Sequence, residues 1–216
     1  SSLGAMAAAL LEEKRYDAAI LPQLEEYVHA QCKGGTYDLD CNLAVLKLYQ
    51  FHPELSKTDI IAKILVKALM KLPATDYLLC TYLIPDSVQE LEQLTAISTV
   101  ASLLETCSFR QVWTALAPLR ATVLSEVPGF DAALRDFMLG VCQITYQTVP
   151  QAHLLESLAV DAKALGELVA ARGWELDGGV VKIALNDDNT AKPKKPDVDG
   201  AMSHEQMTKI LASISS

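Results

Sequence analysis

The sequence predicts a mainly α protein, a helical-repeat superhelix followed by a winged-helix domain with a small β hairpin. Three observations carry that prediction. Across residues 7–124, apolar residues recur at helical spacing in segments separated by brief turns holding Pro, Gly or Ser. From residue 129 the order changes to helix, short extended piece, helix, helix. Residues 174–184, WELDGGVVKIA, then give the one convincing β signal, with Val181 and Ile183 alternating with Lys182 beyond an Asp-Gly turn.

The elements follow in order. A short helix over about 7–14 precedes one over 16–32, which Pro22 interrupts early and Gly34-Gly35 ends. Ser1 to Ala5 ahead of Met6 are read as a remnant before a natural start and take no role. Residues 37–55, YDLDCNLAVLKLYQFHPEL, predict a well-capped helix. Asp38 is its N-cap, Asp40 favours the positive end of the helix dipole, Leu43, Leu46 and Gln50 follow one face, and Pro53 stops it. The next helix runs from Thr58 to Lys71, with Ile61, Ile64, Leu65, Ala68 and Leu72 on one face and Lys63, Lys67 and Lys71 on another. Pro73 separates it from a helix over Asp76 to Ile84. Pro85-Asp86-Ser87 opens the longest helix, to about Thr106, along the line Leu91, Leu94, Ile97, Ala101. Ser108 caps a helix to Leu124 that Pro118 should kink. Stacked antiparallel helices of this kind predict a HEAT-like domain over 1–128.

The winged helix is placed at 129–185: a helix over 130–146, an extended piece at Thr148-Val149, and helices over 151–158 and 161–172, the second capped by Asp161 and ended by Gly173. Residues 186–202 are polar and hold Pro, so they read as a linker. Ser203 caps a last helix to 216, with Met207, Ile210, Leu211 and Ile214 on one face.

Composition bounds the function. At 216 residues with half of them hydrophobic and 21% charged, the chain is globular and buries a sizeable core. Its 27 acidic and 18 basic side chains leave a net charge of −9, so a broad phosphate-binding face is excluded. The five cysteines, Cys32, Cys41, Cys80, Cys107 and Cys142, are scattered and odd in number, which suits reduced, buried thiols rather than a disulfide framework. No stretch approaches the roughly 20 apolar residues of a membrane span, and no signal peptide is evident. A cytoplasmic protein with no membrane contact is the expectation.

Four blocks carry a resemblance: residues 37–55 as quoted, ILVKALMKLPATDYLLC at 64–80, LLETCSFRQVWTAL at 103–116, and ITYQTV at 144–149. In this order they resemble the k-subunit family of eukaryotic translation initiation factor 3. That family belongs to the PCI-type chains of the proteasome lid, the COP9 signalosome and the initiation factor. The similarity runs from about residue 16 to the linker, and the terminal helix also fits. It implies a non-catalytic scaffold subunit in the complex that binds the small ribosomal subunit, with other subunits of the factor as partners and the l subunit as nearest neighbour. The rival readings are the equivalent chain of the lid or signalosome and a winged-helix nucleic-acid regulator.

Candidate sites are few. Partner contact is expected at Met207, Ile210, Leu211 and Ile214, and at Val181 and Ile183 of the hairpin. Lys192, Lys194 and Lys195 form the only basic cluster, either a ribosomal RNA contact or a solvated charge run. The third winged helix sets Lys163 and Arg172 against Asp161 and Glu167, which argues against sequence-specific DNA reading. His29 and Cys32 share a helix face but lack further zinc ligands. His52-Pro53-Glu54 lacks the downstream cysteines of a zinc deaminase. Gly178-Gly179 is a turn without the helix and lysine of a phosphate loop. Trp113 and Trp174 read as core anchors. No cofactor, metal or catalytic residue is expected.

Overall fold

A computed structural model describes residues 2–191 and 204–214. Among the described residues it is mainly α, with thirteen α-helices and one three-stranded antiparallel sheet. A HEAT-like stack of helices leads into a winged-helix-like hairpin unit.

The first helices are α1 (Ser2–Lys14), α2 (Leu21–Gly34), α3 (Leu39–Phe51), α4 (Thr58–Leu69) and α5 (Asp76–Thr81). α1 begins well before the expected residue 7, and Leu3 packs against the core. Pro22 does not interrupt α2; it occupies the first turn, where its missing N–H has no helical acceptor to lose. A separate 3-10 turn, Ala18–Ile20, precedes it, with the Asp17 carboxylate accepting from Ala19 N–H at 2.9 Å. Gly35 closes α2 at φ +67, in the left-handed region that favours glycine. Asp38 caps α3 as expected, accepting from Cys41 N–H at 3.1 Å. The buried face differs from the expected line: Gln50 is exposed and Leu43 only half-buried, while Cys41, Asn42, Ala44, Val45, Leu46, Leu48 and Tyr49 are buried. α3 is therefore enclosed on most sides rather than laid on a surface.

α4 is more enclosed still. Every residue from Ile60 to Leu69 is buried, Lys63 and Lys67 included, while Lys71 beyond it is exposed. The helix contacts α2, α3 and α5, and also α7 (Glu92–Glu105), α10 (Phe130–Thr145) and the 3-10 turn Val123–Glu126. Lys63 Nζ reaches Glu126 at 2.9 Å, His29 Nδ1 at 3.1 Å and Asp59 at 3.7 Å. Lys67 Nζ has one long bond, to the Gln31 carbonyl at 3.3 Å. Burial pulls its pKa down, because the charged form loses hydration.

The single long helix expected over 85–106 is two: α6 (Asp86–Gln89) and α7. Gln89 donates from its side-chain amide to the Ile84 carbonyl at 2.7 Å and the Thr81 carbonyl at 3.2 Å, folding α6 back onto the preceding turn. Leu91 is then extended and its carbonyl starts α7. Leu91 is exposed, whereas Leu94, Ile97, Val100, Ala101 and Leu104 are buried. Pro118 does more than kink the next helix. It splits it into α8 (Phe109–Ala115) and α9 (Ala117–Arg120), because it lacks the N–H that a continuous helix needs there. Ser108 stands before α8, but its hydroxyl does not bond to the first turn.

After Gly129, at φ +82, come α10, β1 (Thr148–Pro150), α11 (Gln151–Leu158), α12 (Ala162–Ala171), β2 (Glu175–Asp177) and β3 (Val180–Lys182). β3 lies between β1 and β2, pairing Val181 with Val149 on one side and Leu176 on the other. Both central turn residues, Gly178 and Gly179, have positive φ, as a two-residue hairpin turn requires. Asp161 caps α12 by accepting from Ala164 N–H at 2.8 Å. The winged unit is bolted to the stack: Trp113 of α8 donates from Nε1 to the Ser157 carbonyl at 2.8 Å. Arg135 of α10 lies over the Trp113 ring at 4.9 Å and donates to the Leu158 carbonyl at 2.9 Å. Trp113 is therefore a half-buried tie at a junction, while Trp174 is a core residue. The last helix, α13 (His204–Ile214), has no buried residue.

Two predictions follow from the buried polar groups. Gln31 and Asn42 are 1% exposed and bond through both amides, at 3.0 and 3.3 Å, while Gln31 Oε1 also accepts from Asp38 N–H at 2.9 Å. Asn42→Leu strands the Gln31 amide and should lower unfolding free energy by about 1–3 kcal/mol in urea titration; no change would show that the pair is not what aligns α2 with α3. The two buried lysines should diverge. Lys67→Met removes a poorly bonded buried ammonium and should leave stability equal or about 1 kcal/mol higher, whereas Lys63→Met loses three partners and should cost about 1–2 kcal/mol. Urea midpoints in the reverse order would disprove the assignment.

Candidate interaction surfaces

Of the two basic residues that the sequence offers on the third winged helix, Arg172 is already engaged. Just after α12, Arg172 Nη2 bonds to Asp136 at 2.5 Å, its Nη1 to Gln143 at 3.1 Å, and the guanidinium lies 5.7 Å from the Trp174 ring centre. That leaves Lys163 as the exposed cation, with Asp161 and Glu167 exposed beside it. Phosphate would meet more repulsion than attraction there. Lys192, Lys194, Lys195 and Ser203 lie outside the described residues.

The hairpin divides its apolar residues between core and solvent. Val181 and Ile183, expected at a partner contact, are 0% and 5% exposed and sit in the chain's own core. The outward apolar residues are Leu176 and Val180. Sequence reading missed them because strand alternation does not say which face is inside. β2 is an edge strand with all three residues exposed, and Lys182 bonds to Asp177 at 2.6 Å across the turn, holding the Asp177 carboxyl below its usual range. On α13, Met207, Ile210, Leu211 and Ile214 are all exposed, from 43% at Ile210 to 76% at Ile214, so the structure does bring the expected four onto one exposed apolar face. A groove of about 550 Å³ runs between α10 and α12, over Leu139, Val160 and Leu168.

The chemistry-bearing side chains do not converge. Among the described residues, no group of three or more His, Cys, Asp or Glu side chains is placed to hold a metal ion. Burial pushes the Cys41 and Cys80 thiols up to about 12, and those of Cys32 and Cys142 upward as well, so these four stay protonated and weakly nucleophilic at neutral pH. Cys107 is the exposed cysteine, contrary to the expectation of buried thiols, while the other four are buried as expected. His29 bonds to Lys63 rather than joining Cys32 in a metal site, and His52 lies 3.5 Å from Glu54. His153 meets Arg110 at 3.1 Å at the α8–α11 junction. Glu25 is buried against Tyr49 Oη at 2.6 Å and Lys57 at 2.5 Å, a structural tie between α2 and the start of α4. Among the described residues, no helix is long and apolar enough to cross a membrane.

Comparison with known proteins gives these surfaces a context. The model of the CSN8/PSMD8/EIF3K family matches residues 55–195. Eukaryotic translation initiation factor 3 subunit K of Bombyx mori is 40% identical over 185 residues, covering 85% of this chain and 84% of the relative. The subunit K of Nematostella vectensis is 39% identical over 171 residues, covering 78% and 79%. That of Homo sapiens is 38% identical over 181 residues, covering 83% of each. Matches of this length run through both the helical stack and the winged unit, so the chain belongs to the CSN8/PSMD8/EIF3K family, among its eukaryotic translation initiation factor 3 subunit K members.

Proposed function

We propose that the chain is a non-catalytic scaffold subunit of translation initiation factor 3, acting through protein–protein contacts in a cytoplasmic complex that binds the small ribosomal subunit. The observation that carries this reading is identity of 38–40% to relatives named as subunit K over about four-fifths of both chains. The nearest neighbour in this reading is the l subunit. The working parts are a helical-repeat domain over 1–128, a winged helix over 129–185, a linker over 186–202 and a terminal helix over 203–216.

The terminal helix is the partner contact that the surface chemistry favours. Four large apolar side chains on one exposed face are costly in water, at about 25 cal/mol per Å² of apolar area left unburied. A helix of another subunit, presenting its own apolar stripe, would cover them. The outward hairpin residues Leu176 and Val180 extend the same logic to the wing. In this reading Lys192, Lys194 and Lys195 supply at most a local ribosomal RNA contact, since the net charge is −9.

Purification of the tagged chain from cells tests the assembly. Initiation factor 3 subunits, the l subunit among them, and small ribosomal subunits should co-purify; recovery of proteasome lid or signalosome chains instead would reverse the assignment. Ile210→Asp with Ile214→Asp should cut recovery of the l subunit at least about tenfold, since two buried charges cost well over 1.4 kcal/mol. The thermal midpoint of the isolated chain should stay unchanged, because both side chains are exposed. Undiminished recovery would remove α13 from the interface.

A further inference from the structure

A notch near the N-terminal end of the helical stack has its own chemistry. It lies between the end of α1 and the outer face of α3. Leu43, Ala44 and Leu83 form its floor, and Arg15, Tyr16 and Lys47 its walls, around about 220 Å³. That is below the roughly 300–1,000 Å³ of a small-molecule site, so it holds one or two side chains rather than a cofactor. Beside it stand two aromatic rings that a monomer has no need to expose. Tyr16 is 66% and Phe51 52% exposed, and their ring centres are 6.3 Å apart, tilted at 60°. Aromatic residues gathered at a concave surface mark protein contacts.

The charges select the partner. Arg15 is engaged by Asp40. Lys47 donates to Gln50 at 2.8 Å and lies 4.9 Å from the Phe51 ring centre, and no carboxylate pairs with it among the described residues. The notch walls therefore present a cation above an apolar floor in a protein of net charge −9. A nucleic acid would also seek cations and rings. It would, however, bring a line of phosphates toward the exposed carboxylates of Glu12, Glu13, Asp17 and Asp40, which flank the site in sequence. A single carboxylate on a short apolar segment meets Lys47 without that repulsion.

We propose that the α1–α3 notch binds a short acidic–apolar peptide segment of a partner protein, seating an aromatic or leucine side chain on Leu43, Ala44 and Leu83 and a carboxylate on Lys47. The rings of Tyr16 and Phe51 flank the apolar side chain. The site is independent of the terminal helix and of the assembly reading, so it stands or falls separately.

Fluorescence anisotropy with the full chain tests it, using a fluorescein-labelled, C-terminally amidated peptide GGEWLGG, the charge-reversed GGKWLGG and an oligouridylate as probes. The acidic peptide should bind most tightly. Lys47→Glu should weaken it about tenfold and Tyr16→Ala about fivefold, with thermal midpoints unchanged because both side chains reach solvent. Equal affinity for the charge-reversed peptide, tighter binding of the oligouridylate, no effect of Lys47→Glu, or no binding of either peptide would each overturn the proposal. A chain that dimerises in sedimentation and is made monomeric by Lys47→Glu would also overturn it, by assigning the notch to a second copy.

Discussion

The structure depends on the enclosure of α4. A helix that meets neighbours on every side has no solvent face on which to place charge, yet this one carries two lysines. Each buried ammonium costs several kcal/mol in lost hydration, so its position is fixed by whatever compensates it. For Lys63 the compensation comes from three directions: Asp59 of its own helix, His29 of α2, and Glu126 of the 3-10 turn that leads into the winged unit. The carboxylates are half exposed, so the lysine draws partly hydrated charge inward rather than burying full ion pairs. One side chain thereby ties the early helices to the last turn of the stack. Lys67 lacks such an arrangement, and its depressed pKa is the physical sign of it.

From that enclosure the rest of the packing follows. With α4 inside, α2, α3, α5 and α7 must each turn an apolar face toward it, and α3 is itself squeezed between layers. That is why Asn42 and Gln31 pair: a polar residue on an enclosed helix is tolerated only where another side chain satisfies it. The winged unit joins the same continuous core through Phe130, Leu134 and Met138 of α10. The junction is made specific by Trp113, whose Nε1 donates to the Ser157 carbonyl and whose ring lies under Arg135, a directional bond that fixes an angle apolar contact alone would leave loose.

What the sequence disclosed and what it hid divide along the same line. Features decided by neighbours in the chain were legible: the caps Asp38 and Asp161, the glycine stops at Gly35 and Gly173, and the order of helices, strand and hairpin in the winged unit. Features decided by distant residues were not. Lys63 and Lys67 fall on a polar-looking stripe, and nothing local says that α2 and the 3-10 turn will cover it. The break at Glu90-Leu91 carries no proline or glycine; it follows from the Gln89 amide reaching back to Thr81 and Ile84. Strand alternation selected Val181 and Ile183 as apolar but could not say whether the core or a partner takes them, and the core does. The exposed face of α13 was legible because its period is local. Tyr16 and Phe51 were not singled out, since they meet only after α1 and α3 pack.

Surface charge then decides what kind of binding this fold can support. A winged helix reads nucleic acid when its third helix is basic, and here the arginine best placed to serve is held by Asp136, Gln143 and the Trp174 ring. Those bonds give Arg172 a structural task, locking α12 to α10. To free it for phosphate would mean unpairing Asp136 and leaving a carboxylate in the path of the incoming anion. Four cations are turned inward, Lys63 and Lys67 to the stack and Arg135 and Arg172 to the winged unit, and the 27 acidic against 18 basic side chains leave the net charge negative. Exposed apolar residues are left as the main means of adhesion. Because hydrophobic contact is non-directional, specificity must come from contour and from the charged side chains that stand beside it.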